Sequence, residues 1–215
     1  MEENDLFIFI LIISLLLLAY LTILAFSDLI NSKKTDETLK PALSPEKEAG
    51  NRGEKKATEI IRGELNERDH LLTNVEVAFQ NKPAELDNVV VNVNGVFIIE
   101  VKNYSGEIHG EADDYQWEKY HQSGAGYTYL KEVDNPLKQV GRQEGILGNY
   151  LRSQGIDVWV RGYLYMVNNN SPVESDRVLT NGQEIRKAVH KPGRTKLSKR
   201  DIAAVIAALT PKRTM

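Results

Sequence analysis

The 215-residue chain has no cysteine at all. That excludes disulfides, thiolate zinc sites and thiol nucleophiles, and it fits a reducing compartment. An excess of basic charge is also missing: the formal net charge is -3. No global positive field recruits nucleic acid, so any such binding must come from a local patch. There is no phosphate-binding P-loop, no dinucleotide-binding glycine fingerprint and no Gly-x-Ser-x-Gly elbow. His70, His109, His121 and His190 lack metal-ligand spacing and read as surface or turn residues. No internal repeat is present.

What is present begins with an almost unbroken, uncharged apolar run from Leu6 to Phe26. About 20 such residues span the hydrocarbon core of a bilayer. A cleaved signal peptide needs a basic start and a small-residue cleavage site. Here Glu2, Glu3 and Asp5 precede the run and Ser27-Asp28-Leu29-Ile30 follow it. The expectation is an uncleaved single-pass anchor within residues 1–30. Lys33 and Lys34 lie just beyond the span, which places the C-terminal part in the cytoplasm, at the inner face of the cell membrane. Residues 31–52 are polar, contain Pro41 and Pro45, and read as a flexible tether.

A folded domain is expected over residues 53–215. Residues 54–68 predict a helix with Ala57, Ile60, Ile61 and Leu65 in one stripe. At about 100° per residue Glu54 falls at the edge of that stripe and Glu59 opposite it. Val75–Phe79 predicts a strand that Lys82-Pro83 breaks. Two short strands follow near 106–110 and 116–120, with Trp117 in the core and a loop at Gly124-Ala125-Gly126. Asn135-Pro136 opens a helix reaching Ser153, with Asn135 as cap and Pro136 in the first turn. Residues 158–167 read as a buried strand and 177–179 as another. A final helix runs from Asp201 to Leu209 with Ser198 as its cap. This order predicts an α/β domain, a mixed central sheet flanked by helices, preceded by one transmembrane helix. The basic stretch from Arg186 to Arg200 reads as a solvated loop by default, with contacts to nucleic acid or anionic lipid as the alternatives.

The segment from Glu85 to Lys102 carries the chemistry. Two β-branched runs flank Asn94-Gly95, a strong hairpin signal. A two-residue turn there pairs Val93 with Val96, sets Val89 against Glu100 and Asp87 against Lys102. Side chains alternate with period two, so Asp87, Glu100 and Lys102 share one face. Two carboxylates and an ammonium then meet at the open end of a hairpin whose second strand is apolar on both faces. Hard oxygen ligands of this kind suit Mg²⁺ or Mn²⁺, with the lysine placed for a phosphate or an attacking water. The competing reading is ordinary cross-strand charge pairing.

The chain resembles the nuclease-related domain (NERD) family of the restriction-endonuclease-like superfamily. The resemblance rests on Gly53-Glu54, Leu86-Asp87, Gly95-Val96-Phe97, Glu100-Val101-Lys102-Asn103-Tyr104 with Gly106, Trp117, and Asn135-Pro136 followed by Gln139. It implies that Asp87 and Glu100, helped by the Val101 carbonyl, hold one or two Mg²⁺ or Mn²⁺ ions. It implies that Lys102 orients water or stabilises phosphate charge, that Glu54 completes the carboxylate cluster, and that Gln139 acts at the site or positions a phosphate backbone. Asn88 departs from the family, which usually has His after the aspartate. An amide hydrogen-bonds but cannot shuttle a proton near neutral pH. The expected function is a membrane-anchored, metal-dependent nuclease acting on DNA or RNA. The alternative is a catalytically degenerate nuclease fold that binds nucleic acid or protein at the membrane.

Overall fold

The computed structural model describes residues 18–23, 45–122, 128–168, 170, 173–193 and 195–211. The chain divides into two units, Met1–Ser44 and Pro45–Met215. In the first, residues 18–23 are helical and exposed. Most of the expected anchor and tether lies outside the described residues. Among the described residues, no helix is long and apolar enough to cross a membrane.

The second unit opens with helix α1, Pro45–Glu64. It starts well inside the segment whose polar composition reads as tether, and it ends before residue 68. Strands β1 (His70–Phe79), β2 (Lys82–Asn92) and β3 (Gly95–Lys102) follow. Next come β4 (Glu107–His109), β5 (Gln116–Gln122) and β6 (Thr128–Asp134), then helix α2 (Pro136–Ser153). Strand β7 (Val160–Met166), the short β8 (Val178–Leu179) and helices α3 (Gly182–His190) and α4 (Lys199–Leu209) complete the unit.

The main sheet has the order β1-β2-β3-β7-β8. β1, β2 and β3 pair antiparallel, while β3–β7 and β7–β8 pair parallel, so the sheet is mixed as expected. One face packs Val89, Val91, Val96 and Ile98 under α2 and α4 through Leu147, Leu151 and Val205. The other packs Val90, Phe97, Ile99 and Val101 under α1 and α3 through Ala57, Ile61, Ile185 and Val189. Strict alternation along β2 and β3 sorts each residue to one helix layer, and burial on both faces accounts for their continuous apolar runs. A second sheet, β4-β5-β6, docks Ile108 and Trp117 on Leu137 and Val140 of α2 and on Leu164 and Met166 of β7.

Three local expectations are corrected. Lys82-Pro83 does not break the sheet: Gln80 and Asn81, both at positive φ, make the turn, and Pro83 pairs with Ala78. The proline is tolerated because β3 reaches β2 only from Asn88 onward, leaving that side of Pro83 unpaired. The β2–β3 turn sits one residue earlier than Asn94-Gly95 predicts. Asn92 pairs with Gly95 and Val91 with Val96. The Asn92 side chain accepts the Asn94 N–H at 2.8 Å and donates to the Val189 carbonyl, while Leu197 N–H binds the Val93 carbonyl. These contacts hold the tip in an Asx turn instead of a type I′ turn. Residues 182–190, read partly as basic loop, form α3, capped by Asn181 and bonded to α1 through Arg186 and Glu64 at 2.8 Å.

Candidate active site

The shifted turn moves both arms of the hairpin by one residue, so side-chain parity is unchanged. Continuing the observed register places Asp87 across from Glu100, not Lys102. All three charged side chains still belong to the face that α2 covers. The ladder between β2 and β3 ends at Asn88–Ile99. Beyond it the Val101 N–H donates to Asp87 Oδ2 at 2.8 Å, so the carboxylate replaces a backbone partner.

Glu100 is the hub. It is 2% exposed, and a buried carboxylate needs compensation. Lys102 Nζ donates to its Oε1 at 2.7 Å and Gln139 Nε2 to the same oxygen at 2.6 Å. Gln143 Nε2 donates to Oε2 at 2.7 Å and to the Glu85 carbonyl at 2.9 Å. Both glutamines come from α2, one turn apart, so one helix face presents both amides. The cap that starts this helix is the one expected: Asn135 accepts the Leu137 N–H at 2.8 Å. Gln139 therefore lies in the site. Gln143 joins it although no motif in the sequence marks it. Its signal was helical spacing among buried residues Val140 and Leu147.

Burial pushes the Asp87 carboxyl up to about 7, helped by the Glu100 charge and, least, by Glu54; the Val101 N–H and Lys102 pull the other way. For Lys102 burial pulls down, but the charge and hydrogen bond of Glu100 override it and hold the ammonium above its usual value. Burial also raises the Tyr104 phenol, whose charge environment includes Lys102 and Glu100.

Glu54 arrives from the opposite helix layer. A side chain at Gly53 would overlap Asn103, the residue after Lys102, and Asn103 Nδ2 donates to the Ala49 carbonyl at 2.9 Å. The glycine lets α1 lie against the end of β3 and brings Glu54 into the electrostatic range of Asp87. Asn88 points away from this cluster. It is fully buried on the α1 face and accepts from Thr58 Oγ1 at 2.9 Å. Trp117 is core, as expected, and is fully buried.

Among the described residues, no group of three or more His, Asp or Glu side chains forms a ready cage for a metal ion. Two carboxylates, Asp87 and Glu100, meet here, and burial first and the Glu100 charge second raise the Asp87 carboxyl to about 7. That donor set fits a hard divalent ion that takes few protein ligands and keeps most of its shell for water and phosphate. The buried Gln143 Oε1 has no partner among the described residues, which leaves one more hard acceptor in the same layer.

The family model of the nuclease-related domain matches residues 49–167, more than half of the chain. No curated protein and no solved structure matches it.

Proposed function

The chain belongs to the nuclease-related domain family, and on that premise we propose that it hydrolyses phosphodiester bonds in DNA or RNA as a metal-dependent nuclease held at the membrane. The observation that carries this reading is the convergence of Asp87, Lys102, Gln139 and Gln143 on Glu100 at the open end of β2 and β3. Asp87 and Glu100, with the Val101 carbonyl, are the residues that would hold Mg²⁺ or Mn²⁺. Such an ion supplies charge neutralisation at the phosphate.

The remaining work falls to the chain's own groups. Lys102 stays an ammonium because Glu100 raises its pKa, so it serves as a fixed positive charge beside the phosphate and not as a base. Asp87, raised to about 7 by burial and then by the Glu100 charge, would be ionised once it holds the ion, and the attacking water gives up its proton to solvent as its oxygen bonds phosphorus. The phosphorus–oxygen ester bond breaks and the departing oxygen takes up a proton from solvent. Gln139 and Gln143 hold Glu100 in one rotamer. Glu54 adds negative charge that favours a bound cation.

The test uses the Pro45–Met215 unit, because a shorter fragment from Asn51 would cut α1 and remove the Ala49 contact. Divalent ions are titrated with single- and double-stranded DNA and RNA. Glu100→Ala and Asp87→Asn should lose both cleavage and ion binding, and Lys102→Ala cleavage alone. A fragment that cleaves nothing and binds no ion overturns the reading. One observation favours a second reading, a binding module without catalysis: Glu100 is already satisfied by three donors. Nucleic-acid binding without ion uptake would select it.

The membrane part of the proposal rests on Leu6–Phe26 as anchor and Lys33-Lys34 on its cytoplasmic side. Protease added to intact spheroplasts should spare the C-terminal unit. Digestion without lysis refutes the orientation.

A further inference from the structure

The β4-β5-β6 sheet carries a charge pattern that its own stability does not explain. Lys119 lies directly opposite Lys131, and Glu118 directly opposite Glu132. Like charges facing each other across strands are destabilising. Successive residues point to opposite faces, so the two lysines share one face and the two glutamates the other. The chain thus builds a cationic face and an anionic face where mixed pairs would have been more stable. Neither lysine has an ion-pair partner among the described residues.

The cationic face has a direction. It is the face of Trp117, which packs into the core that Tyr104 borders. Two residues on, Lys119 Nζ lies 5.7 Å from the centre of the Tyr104 ring. Two further, His121 meets Tyr129 with ring centres 5.1 Å apart, and Tyr129 is 51% exposed. At its other end Tyr104 follows Lys102 by two residues. Lys102, whose charge Tyr104 feels, Lys119 over the Tyr104 ring and the His121–Tyr129 pair thus alternate cations with rings away from the carboxylate site.

We propose that this face binds one unpaired strand of nucleic acid, with phosphates on Lys119 and Lys131 and bases against Tyr129 and His121, and leads it past Tyr104 to Lys102. The argument is charge complementarity combined with stacking. An anion between two opposed ammonium groups relieves their repulsion, and a phosphodiester chain supplies one at each step. The exposed Tyr129 ring and the half-buried His121 and Tyr104 rings, interleaved with lysines, form an arrangement that suits single strands, because every unpaired base has a stacking face. A duplex hides those faces. The inference rests on the nuclease reading and adds to it the strand type and the path of the substrate. DNA and RNA share the chemistry required.

The test measures fluorescence anisotropy of labelled oligonucleotides with the full chain in detergent micelles, with EDTA present to prevent cleavage. The arms are single-stranded DNA, single-stranded RNA and a DNA duplex. The unmutated chain should bind single strands more tightly than duplex. K119A/K131A should weaken that binding and reduce the slope of log affinity against log salt by about 1.4, at about 0.7 per phosphate contact. Tyr129→Ala should weaken it about fivefold or more. K119R/K131R should retain binding, and E118Q/E132Q, on the opposite face, should not reduce it. No binding, duplex bound as tightly as single strands, or an unchanged salt slope in K119A/K131A overturns the inference. Cleavage by K119A/K131A with an unaltered KM also overturns it while leaving the nuclease reading intact. Single-strand binding on this face without cleavage in Mg²⁺ or Mn²⁺ supports the face and removes the nuclease reading.

Discussion

Asp87→Asn offers the sharpest physical test of the site, because it separates stability from chemistry. The Asp87 carboxyl moves from an ordinary 3.8 to about 7, chiefly through burial and then through the charge of Glu100. A gap of that size makes the ionised form costlier in the folded than in the unfolded chain by about 4 kcal/mol. Below the unfolded value both states hold the proton, and the group contributes nothing. As pH rises through the window from 3.8 to about 7 the unfolded chain releases its proton first, so stability falls, and above that window the full cost is present. The asparagine variant keeps an oxygen to accept the Val101 N–H but has no proton to lose. Urea unfolding of the Pro45–Met215 unit, followed by the fluorescence of Trp117 and Trp159 without divalent ions, should give near-equal stabilities at about pH 4. At about pH 8 the variant should be the more stable, by up to about 4 kcal/mol. Mg²⁺ at the higher pH should stabilise the unmutated unit alone, since only that form retains the charge the ion binds. Parallel pH profiles for the two proteins would refute the placement of Asp87 in a dry, like-charged site.

Lys102→Ala removes one of three donors from a buried carboxylate, so cleavage should vanish and stability at about pH 8 should fall by about 1–3 kcal/mol, read by urea midpoint. Ion binding, read by calorimetry, should persist in that variant. Gln143→Leu strips donors from both Glu100 Oε2 and the Glu85 carbonyl, and should cost about 1–3 kcal/mol while lowering kcat more than KM changes. Gly53→Ala forces a methyl group into Asn103; an overpacking cost of about 1–3 kcal/mol and reduced cleavage through a displaced Glu54 are expected, and unchanged activity would show that α1 does not help build the site. Asn88→His puts a larger ring into a fully buried position bonded to Thr58, so it should lower the melting temperature without raising kcat; a gain in cleavage would contradict that.

The hairpin, its parity and the capped helix α2 were legible because each depends on local chemistry: β-branched runs, period two, Asn followed by Pro. The register was not. Asn94-Gly95 carries the stronger intrinsic turn preference, but Asn92, Val93 and their partners Val189 and Leu197 outbid it with contacts from distant segments. The error left the site intact only because it displaced both arms together. Strand β6 was missed because nearly all its side chains are exposed, so no apolar alternation marks it. Helix α3 was missed because its polar and charged residues outnumber the apolar ones. Ile185, Ala188 and Val189 nevertheless make a buried stripe with helical spacing. The polar start of α1 hid its helicity, since composition reports burial better than backbone state. Gln143 had no chemical motif of its own, and only the position of α2 over Glu100 gives it a role.

Asn88 follows Asp87 in the chain but serves the other face of the sheet. Alternation sends Asp87 to the α2 layer and Asn88 to the α1 layer. The proton-shuttling deficit of an amide therefore does not bear directly on the chemistry proposed at Asp87 and Glu100. What residue 88 can influence is α1. Thr58, which donates to Asn88 Oδ1, stands one helical turn after Glu54, on the same side of the helix. The bond fixes the height of α1 over the sheet at that turn, and Gly53 against Asn103 fixes it one turn earlier. Between these two points Glu54 is held within reach of Asp87. The site thus draws on both helix layers around one sheet end: α2 orients Glu100, and α1 supplies negative charge beside Asp87. A side chain at position 88 acts by setting that second layer, as a spacer whose size and bond to Thr58 matter more than its acidity.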